Sequence, residues 1–162
     1  RLPTGLNDSK LLSAKRRAAL AAEIAATAIV SIGEASVAEI DEINILQASM
    51  LAMRRAIEGL PERPDHALID GNRVPLGLPC GADAIIRGDG LCLSISAASI
   101  MAKIRRDQGM VDLAQQHPGY GWERNAGYGT AEHLSALQTL GVTAHHRRSF
   151  KPVHNMLYQG VS

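Results

Sequence analysis

The sequence is short of the residues that cross-link a chain, stack in it or break it. Among 162 residues there are two cysteines, Cys80 and Cys92. Two cannot build the disulfide framework of a small secreted domain, and they match no zinc-ligand spacing. They fit a reducing, cytoplasmic setting. Aromatic residues make up only 3%. Proline at 7 and glycine at 15 exclude collagen-like and proline-rich arrays. No apolar run reaches the roughly 20 residues of a membrane helix; the nearest, Ala18 to Ile32, is interrupted by Glu23. No secretory signal is visible, and residue 1 is Arg, so a processed or shortened chain is expected. An excess of one charge is lacking too. Seventeen basic and 16 acidic residues give +1, which by itself argues for no partner.

What is present is a core. Hydrophobic residues make up 46% and charged residues 20%. A chain of this length buries roughly 70% of its unfolded surface in one domain. Extended disorder is excluded, because it needs low hydrophobicity and high net charge. The charges are unevenly spread: residues 1–70 carry 8 basic and 10 acidic groups, residues 71–162 carry 9 and 6. The basic groups of the second half cluster at Lys103, Arg105 and Arg106, and again at Arg147, Arg148 and Lys151 beside His145 and His146. Such clusters mark a phosphate-binding face; they are also what helix ends and a solvated tail look like.

There is no internal repeat and no low-complexity segment. Residues 1–12 read as an extended arm with Gly5, Asn7 and Asp8. Ser13 caps a helix to about Ala25, with Leu20, Ala21 and Ile24 at helical spacing. Thr27 to Ile32 is β-branched and apolar and reads as a strand. Ser36-Val37-Ala38-Glu39 is a capping box. It opens a helix to about Glu58, along which Ile40, Ile43, Leu46, Met50, Met53 and Ile57 recur. Ala67–Asp70 and Ala82–Arg87 read as short strands, each followed by glycine and a carboxylate or the reverse. A helix over 95–116, another from the Thr130 cap to Gly141, and a short helix over 143–150 complete the reading. Alternating strands and helices predict an α/β domain.

Asp70 and Asp89 stand at equivalent places, each beyond an apolar strand and beside glycine. Ligand sites of open α/β sheets gather there. Two carboxylates in one site need a bridging cation or a shared proton, and an all-oxygen site suits Mg²⁺ or Mn²⁺. The same Asp-Gly pairs are ordinary turn signals. Asp41-Glu42 sit on one helix, where neighbours in sequence do not share a face, and read as solvated surface. His133 reads as structural, and His145-His146 as poor geometry for one ion. Tyr120, Trp122 and Tyr128 hold three of the five aromatics within nine residues; they fit either a stacking surface for bases or a local core. The small face Ser96-Ala97-Ala98-Ser99 suits close packing of its helix on the sheet. Neither serine has a histidine base nearby in sequence, which argues against a serine hydrolase.

These segments, taken in order, resemble bacterial ribonuclease HII. The match runs through Gly5-Leu6-Asn7-Asp8-Ser9-Lys10, Glu39 to Leu46, Leu68 to Asn72, and Gly88-Asp89. It continues through Ile95 to Ile100, Ala102-Lys103, Gly127-Tyr128-Gly129-Thr130 with His133, and His146 to Phe150. It covers nearly the whole chain. The resemblance implies an RNase H-like fold, a mixed sheet flanked by helices, with a helical C-terminal segment. It implies one catalytic domain over 1–162, with about 117–162 as the substrate-binding helical segment. The implied activity is Mg²⁺- or Mn²⁺-dependent cleavage of the RNA strand of RNA–DNA hybrids. Nicking of duplex DNA 5′ of an embedded ribonucleotide is implied as well, by two-metal-ion hydrolysis leaving 3′-hydroxyl and 5′-phosphate ends. Asp70 and Asp89 would be the third and fourth of four metal-binding carboxylates. Tyr128 would stack at the sugar beside the ribonucleotide. Ser9, Lys10, Lys103 and Arg147 would meet backbone phosphates. A monomer without membrane association is expected.

The family pattern also has an Asp-Glu-x-Gly-Arg-Gly strand ahead of Asn7, and the sequence contains no such motif. The expectation is an N-terminally incomplete domain lacking two carboxylates and the central strands. The alternative function is therefore a catalytically inactive nucleic-acid-binding fragment.

Overall fold

Ser13 starts the first helix: its hydroxyl accepts the Arg16 amide at 3.2 Å, satisfying one of the orphan donors of the first turn. In the computed structural model, which describes residues 2–7 and 9–158, this helix, α1, spans Ala14–Thr27. Arg1, 159–162 and Asp8, the aspartate of the matched Asp-Ser-Lys triplet, lie outside the described residues. α2 spans Val37–Glu58. Strand β1 spans His66–Asp70 and β2 Gly81–Ile85. Then follow α3 (Gly88–Leu91), α4 (Leu93–Gln116), α5 (Trp122–Asn125), α6 (Ala131–Leu140) and α7 (Lys151–Tyr158). The chain forms two compact units. One takes residues up to Glu34 with Ser49–Arg105, the other Ala35–Ala48 with the residues from Arg106 on.

The core of the first unit lies between α1 and the first half of α4. Leu20, Ala21 and Ile24 meet Ala97 and Ile100, and Leu2, Leu6 and Leu12 pack against them. The small face around Ala97 receives α1 and the N-terminal segment. The expected extended arm is also corrected. Residues 4–5 and 9–12 turn. The segment is pinned by Arg16 to the Thr4 carbonyl at 3.0 Å, Arg17 to the Ser9 carbonyl at 2.9 Å and Ser96 to the Asn7 carbonyl at 2.9 Å.

Thr27–Ile32 is not a strand. Thr27 ends α1, and residues 28–36 run without strand pairing. β-branched composition marks a segment that fits a pleated surface, but a strand also needs a partner backbone. This segment lies instead against the part of α2 that belongs to its unit. A Cβ on Gly33 would sit 2.0 Å from the Ala52 carbonyl oxygen and 2.4 Å from the Ala56 nitrogen. Arg55 donates to the Glu34 carbonyl at 2.8 Å. The sheet among the described residues is β1 and β2 in parallel, with Asp70 opposite Ile85.

In the second unit the capping box is formed as read. The Ser36 amide donates to Glu39 at 2.8 Å, and the Glu39 amide to the Ser36 hydroxyl at 3.2 Å. The run it opens is not continuous: Asn44 has φ 70° and ψ 165°. Its Oδ1 accepts the amides of Leu46 and Gln47 at 3.0 and 3.1 Å, so one residue ends a helical run and caps the next. Asparagine tolerates positive φ and bonds its local backbone. Leu46, which follows this break, is exposed. The core of this unit gathers Tyr120, Trp122, Ala136, Leu137 and Val153. The helix expected over 143–150 is a series of turns, and the helix follows it, at Lys151. Among the described residues no helix is long and apolar enough to cross a membrane.

Candidate active site

Asp70 is the last residue of β1. Beyond it the Gly71 amide closes the parallel pair by donating to the Ile85 carbonyl at 3.0 Å. One carboxylate oxygen of Asp70, Oδ1, accepts the Gly88 amide at 2.9 Å. Asp89 therefore follows directly on the residue that Asp70 holds. It is not at the end of β2, as the apolar run to Arg87 suggested. β2 stops at Ile85, Arg87 turns left-handed at φ 57°, and Asp89 lies in the short helix α3. Gly88 is buried, and a Cβ there would come 2.5 Å from Ile95 Cδ1 and 3.4 Å from Ile85 Cβ. A larger residue here requires the Ile95 side chain to shift.

Asp70 is exposed and Asp89 half-buried. A carboxylate has about four acceptor positions, and the Gly88 amide uses one of those on Asp70. The two aspartates offer hard oxygen donors only. Among the described residues no group of three or more His, Cys, Asp or Glu is placed to hold a metal ion, so this is not a closed protein cage. It fits a small hard cation such as Mg²⁺, which keeps its waters and is held by one or two carboxylates and substrate phosphate oxygens.

Ser9 is buried, and its hydroxyl accepts from Ser99 at 2.8 Å. Lys10 beside it is exposed, and Lys103 on α4 is half-buried. These residues belong, with the two aspartates, to the first unit.

Tyr128 and Arg147 belong to the second. Of the three clustered aromatics, Tyr120 and Trp122 are core, stacked with ring centroids 4.9 Å apart, whereas Tyr128 is 61% exposed. The local-core reading holds for Tyr120 and Trp122, and Tyr128 stands outside that core. The backbone reaches Tyr128 through left-handed Ala126 and Gly127, at φ 48° and 79°. The Arg106 guanidinium donates to the Ala126 carbonyl at 2.8 Å and lies 5.4 Å from the Tyr128 ring centroid. Arg147 covers the Phe150 ring at 5.5 Å, and Phe150 in turn limits Gly129, where a Cβ would stand 3.4 Å from its ring.

Behind Tyr128 lies a buried polar network. Trp122 Nε1 donates to His133 Nε2 at 3.0 Å; His133 Nε2 is 3.2 Å from His146 Nε2; His133 Nδ1 is 2.9 Å from the Tyr128 carbonyl. Buried Asn125 donates to the Tyr120 carbonyl at 2.8 Å and accepts the Gly127 amide at 2.9 Å. Burial, and next the neighbouring His133, push the His146 imidazole down from 6.5 to about 4.

Asp41 is the residue that sequence reasoning set aside. Its carboxylate accepts the backbone amides of Arg148 and Ser149, both at 2.9 Å, and the Ser149 hydroxyl at 2.6 Å. Burial alone would raise its pKa; the hydrogen bonds from Ser149 and Arg148, with the Arg148 charge, outweigh it and hold the group below its usual range. Its partners lie over a hundred residues away in sequence, and helix geometry ruled out only a pairing with Glu42. The available signal was its place in the segment Glu39 to Leu46, which matched the family pattern.

The fold has known counterparts. It is similar in structure to a ribonuclease H2 from Pyrococcus horikoshii OT3, with a TM-score of 0.77 and 22% identity over 96% of this chain and 81% of that one. The class is thus an α/β protein of RNase H-like fold. A family model for ribonuclease HII matches residues 2–153, and the chain belongs to the ribonuclease HII family, divalent-metal-dependent nucleases of the RNase H type that act on RNA–DNA substrates. It is 68% identical to a ribonuclease HII of Cereibacter sphaeroides (strain KD131), over all of this chain and 76% of that protein. It is 63% identical to one of Roseobacter denitrificans, over 98% of this chain and 80% of that protein.

Proposed function

We propose that this protein cleaves the RNA strand of RNA–DNA hybrids and nicks duplex DNA 5′ of embedded ribonucleotides, by hydrolysis that uses two divalent cations, Mg²⁺ or Mn²⁺. The observation that carries this reading is the Asp70–Gly88 hydrogen bond, which ties the turn bearing the second carboxylate to the first. Asp70 and Asp89 are the proposed metal ligands. Cations held there would supply Lewis acidity to the phosphodiester and lower the pKa of the attacking water. The Gly88 amide fixes the orientation of Asp70. Lys10, reaching from the turn that buried Ser9 anchors on Ser99, meets the nucleic-acid backbone together with Lys103 and Arg147. These contacts fix register on the duplex without reading sequence. Tyr128 offers its exposed ring to the sugar beside the ribonucleotide, with Arg106 against it. The segment from about 117 to 162 is the proposed substrate-binding segment. A monomer is part of the same reading, and so is a reducing cytoplasm, with which free Cys80 and Cys92 are consistent.

The test uses this chain on a labelled DNA duplex with one ribonucleotide, with Mg²⁺ and then Mn²⁺, and Asp70→Ala as control. A cut on the 5′ side, absent in the control, is the expected result. A cut that survives Asp70→Ala refutes the role of Asp70. A second reading, a nucleic-acid-binding protein without catalysis, is favoured by one observation: no third acidic or histidine ligand joins Asp70 and Asp89 among the described residues. Salt-dependent duplex binding with no metal-dependent cut supports that reading.

A further inference from the structure

The buried histidines of the second unit form a chain of hydrogen bonds with a fixed direction. The Thr143 amide can only donate, and it donates to His146 Nδ1 at 3.0 Å. That nitrogen therefore carries a lone pair, and the proton of a neutral His146 sits on Nε2. Trp122 Nε1 can only donate, and it donates to His133 Nε2. That nitrogen is therefore the acceptor for His146 as well, and the proton of His133 sits on Nδ1. Nδ1–H faces the Tyr128 carbonyl at 2.9 Å. A donor fixes each ring, so no tautomer is free to choose. Protonating His146 would set N–H against the Thr143 N–H, and protonating His133 would set it against Trp122. The neutral form of His146 accords with its low pKa.

We propose that His133 is a positioning residue for Tyr128: the directed chain from Thr143 through His146 and His133 ends on the Tyr128 carbonyl and so sets where its exposed ring stands. This rests on the reading of Tyr128 as the contact to the sugar beside the ribonucleotide. The carbonyl accepts the Thr130 amide at 2.8 Å as well, and the Tyr128 amide donates to Asn125 at 2.9 Å. The backbone of an exposed residue is therefore clamped on both sides. His133 and His146 are 4% and 6% exposed, at the heart of an aromatic core, where a partly satisfied polar network is costly. An apolar pair would fill that core without this cost, but would leave the Tyr128 carbonyl without its buried donor.

Two substitutions separate positioning from packing. In His133→Asn the side-chain amide nitrogen overlays Nδ1 and keeps the donor to Tyr128, while the acceptor for Trp122 and His146 is lost. In His133→Leu both are lost. Affinities are measured in EDTA for a labelled DNA duplex with one ribonucleotide and for the same duplex without it. Tyr128→Ala and His133→Leu are each expected to reduce the preference for the ribonucleotide duplex about tenfold, the size of a lost stacking contact. His133→Asn is expected to retain it despite a lower Tm. His133→Leu added to Tyr128→Ala is expected to cost no further preference, because both act through one ring. Additive losses, or equal losses for His133→Asn and His133→Leu, overturn the proposal and leave the role of Tyr128 standing. Full preference in Tyr128→Ala overturns both. Nitrogen NMR of the unaltered protein gives a check that needs no variant to fold: protons on His133 Nδ1 and His146 Nε2 are expected, and the opposite tautomer of either ring overturns the proposal.

Discussion

At the scale of single residues, two groups set how this protein responds to acid. His146 has its folded pKa lowered from 6.5 to about 4. Above pH 6.5 its imidazole is neutral whether the chain is folded or not. Between pH 6.5 and 4 the unfolded chain takes up a proton that the folded one refuses, so stability falls as pH falls across that window. The full loss is about 3 kcal/mol. Urea unfolding at pH 7 and pH 4.5 is expected to show it, and His146→Gln is expected to shrink the difference. Tyr120, His117, His133 and His145 are the titratable rings around the group. Asp41 acts lower: its folded pKa is depressed, so what it contributes is present above the ordinary carboxylate range and lost as pH drops through it. Asp41→Asn keeps one good acceptor where three donors converge. It is expected to cost about 1–2 kcal/mol in thermal or urea unfolding, and to weaken duplex binding by loosening the turn that carries Arg147.

At the scale of elements, the deciding positions are glycines and caps. Gly88→Ala puts a methyl against the tip of Ile95, which must shift, and is expected to destabilise the first unit by about 1–3 kcal/mol. It moves the amide that orients Asp70, so cleavage is expected to fall by more than the folded fraction does; circular dichroism and single-turnover rates on one preparation check this. Caps were the most legible part of the fold. Ser13, the Ser36–Glu39 box, Thr130 and Gly141 all stand where the sequence placed them, because capping is chemistry within three or four residues. Thr27–Ile32 and the break at Asn44 were not legible. The first depends on which backbone lies alongside, the second on a side chain that bonds its own turn. Of the site, Asp70 could be singled out by its strand end and glycine, and Asp89 by its glycine neighbours alone, since β2 stops at Ile85. The Gly88 bridge between them could not, since it rests on a close approach across eighteen residues. Composition alone could not tell Tyr128 from Tyr120 and Trp122, whose burial comes from α6 and α7; the resemblance at Gly127-Tyr128-Gly129-Thr130 singled it out.

At the scale of the molecule, a net charge of +1 hides a working distribution. Binding of a duplex is expected to weaken with salt. Lys10→Gln, Lys103→Gln and Arg147→Gln are each expected to reduce the slope of log K against log salt by about one, where the residue meets a phosphate. Affinities at four salt concentrations measure it, and an unchanged slope removes that residue from the interface. The two cores are separate in composition as well: aliphatic between α1 and α4, aromatic around Trp122. The sequence showed this as a shift in where aromatics fall, since three of the five lie within residues 120–128.

Gly33 is hemmed in by main-chain atoms of α2, not by side chains that could turn aside. In a library carrying every amino acid at each codon, position 33 should accept glycine and reject serine and alanine as firmly as tryptophan, since the obstacle is met at the first carbon. Position 90, another glycine, faces open space on that carbon and should accept many substitutions. The contrast between two identical letters, read from survival alone, would report how the chain is folded without any spectroscopy.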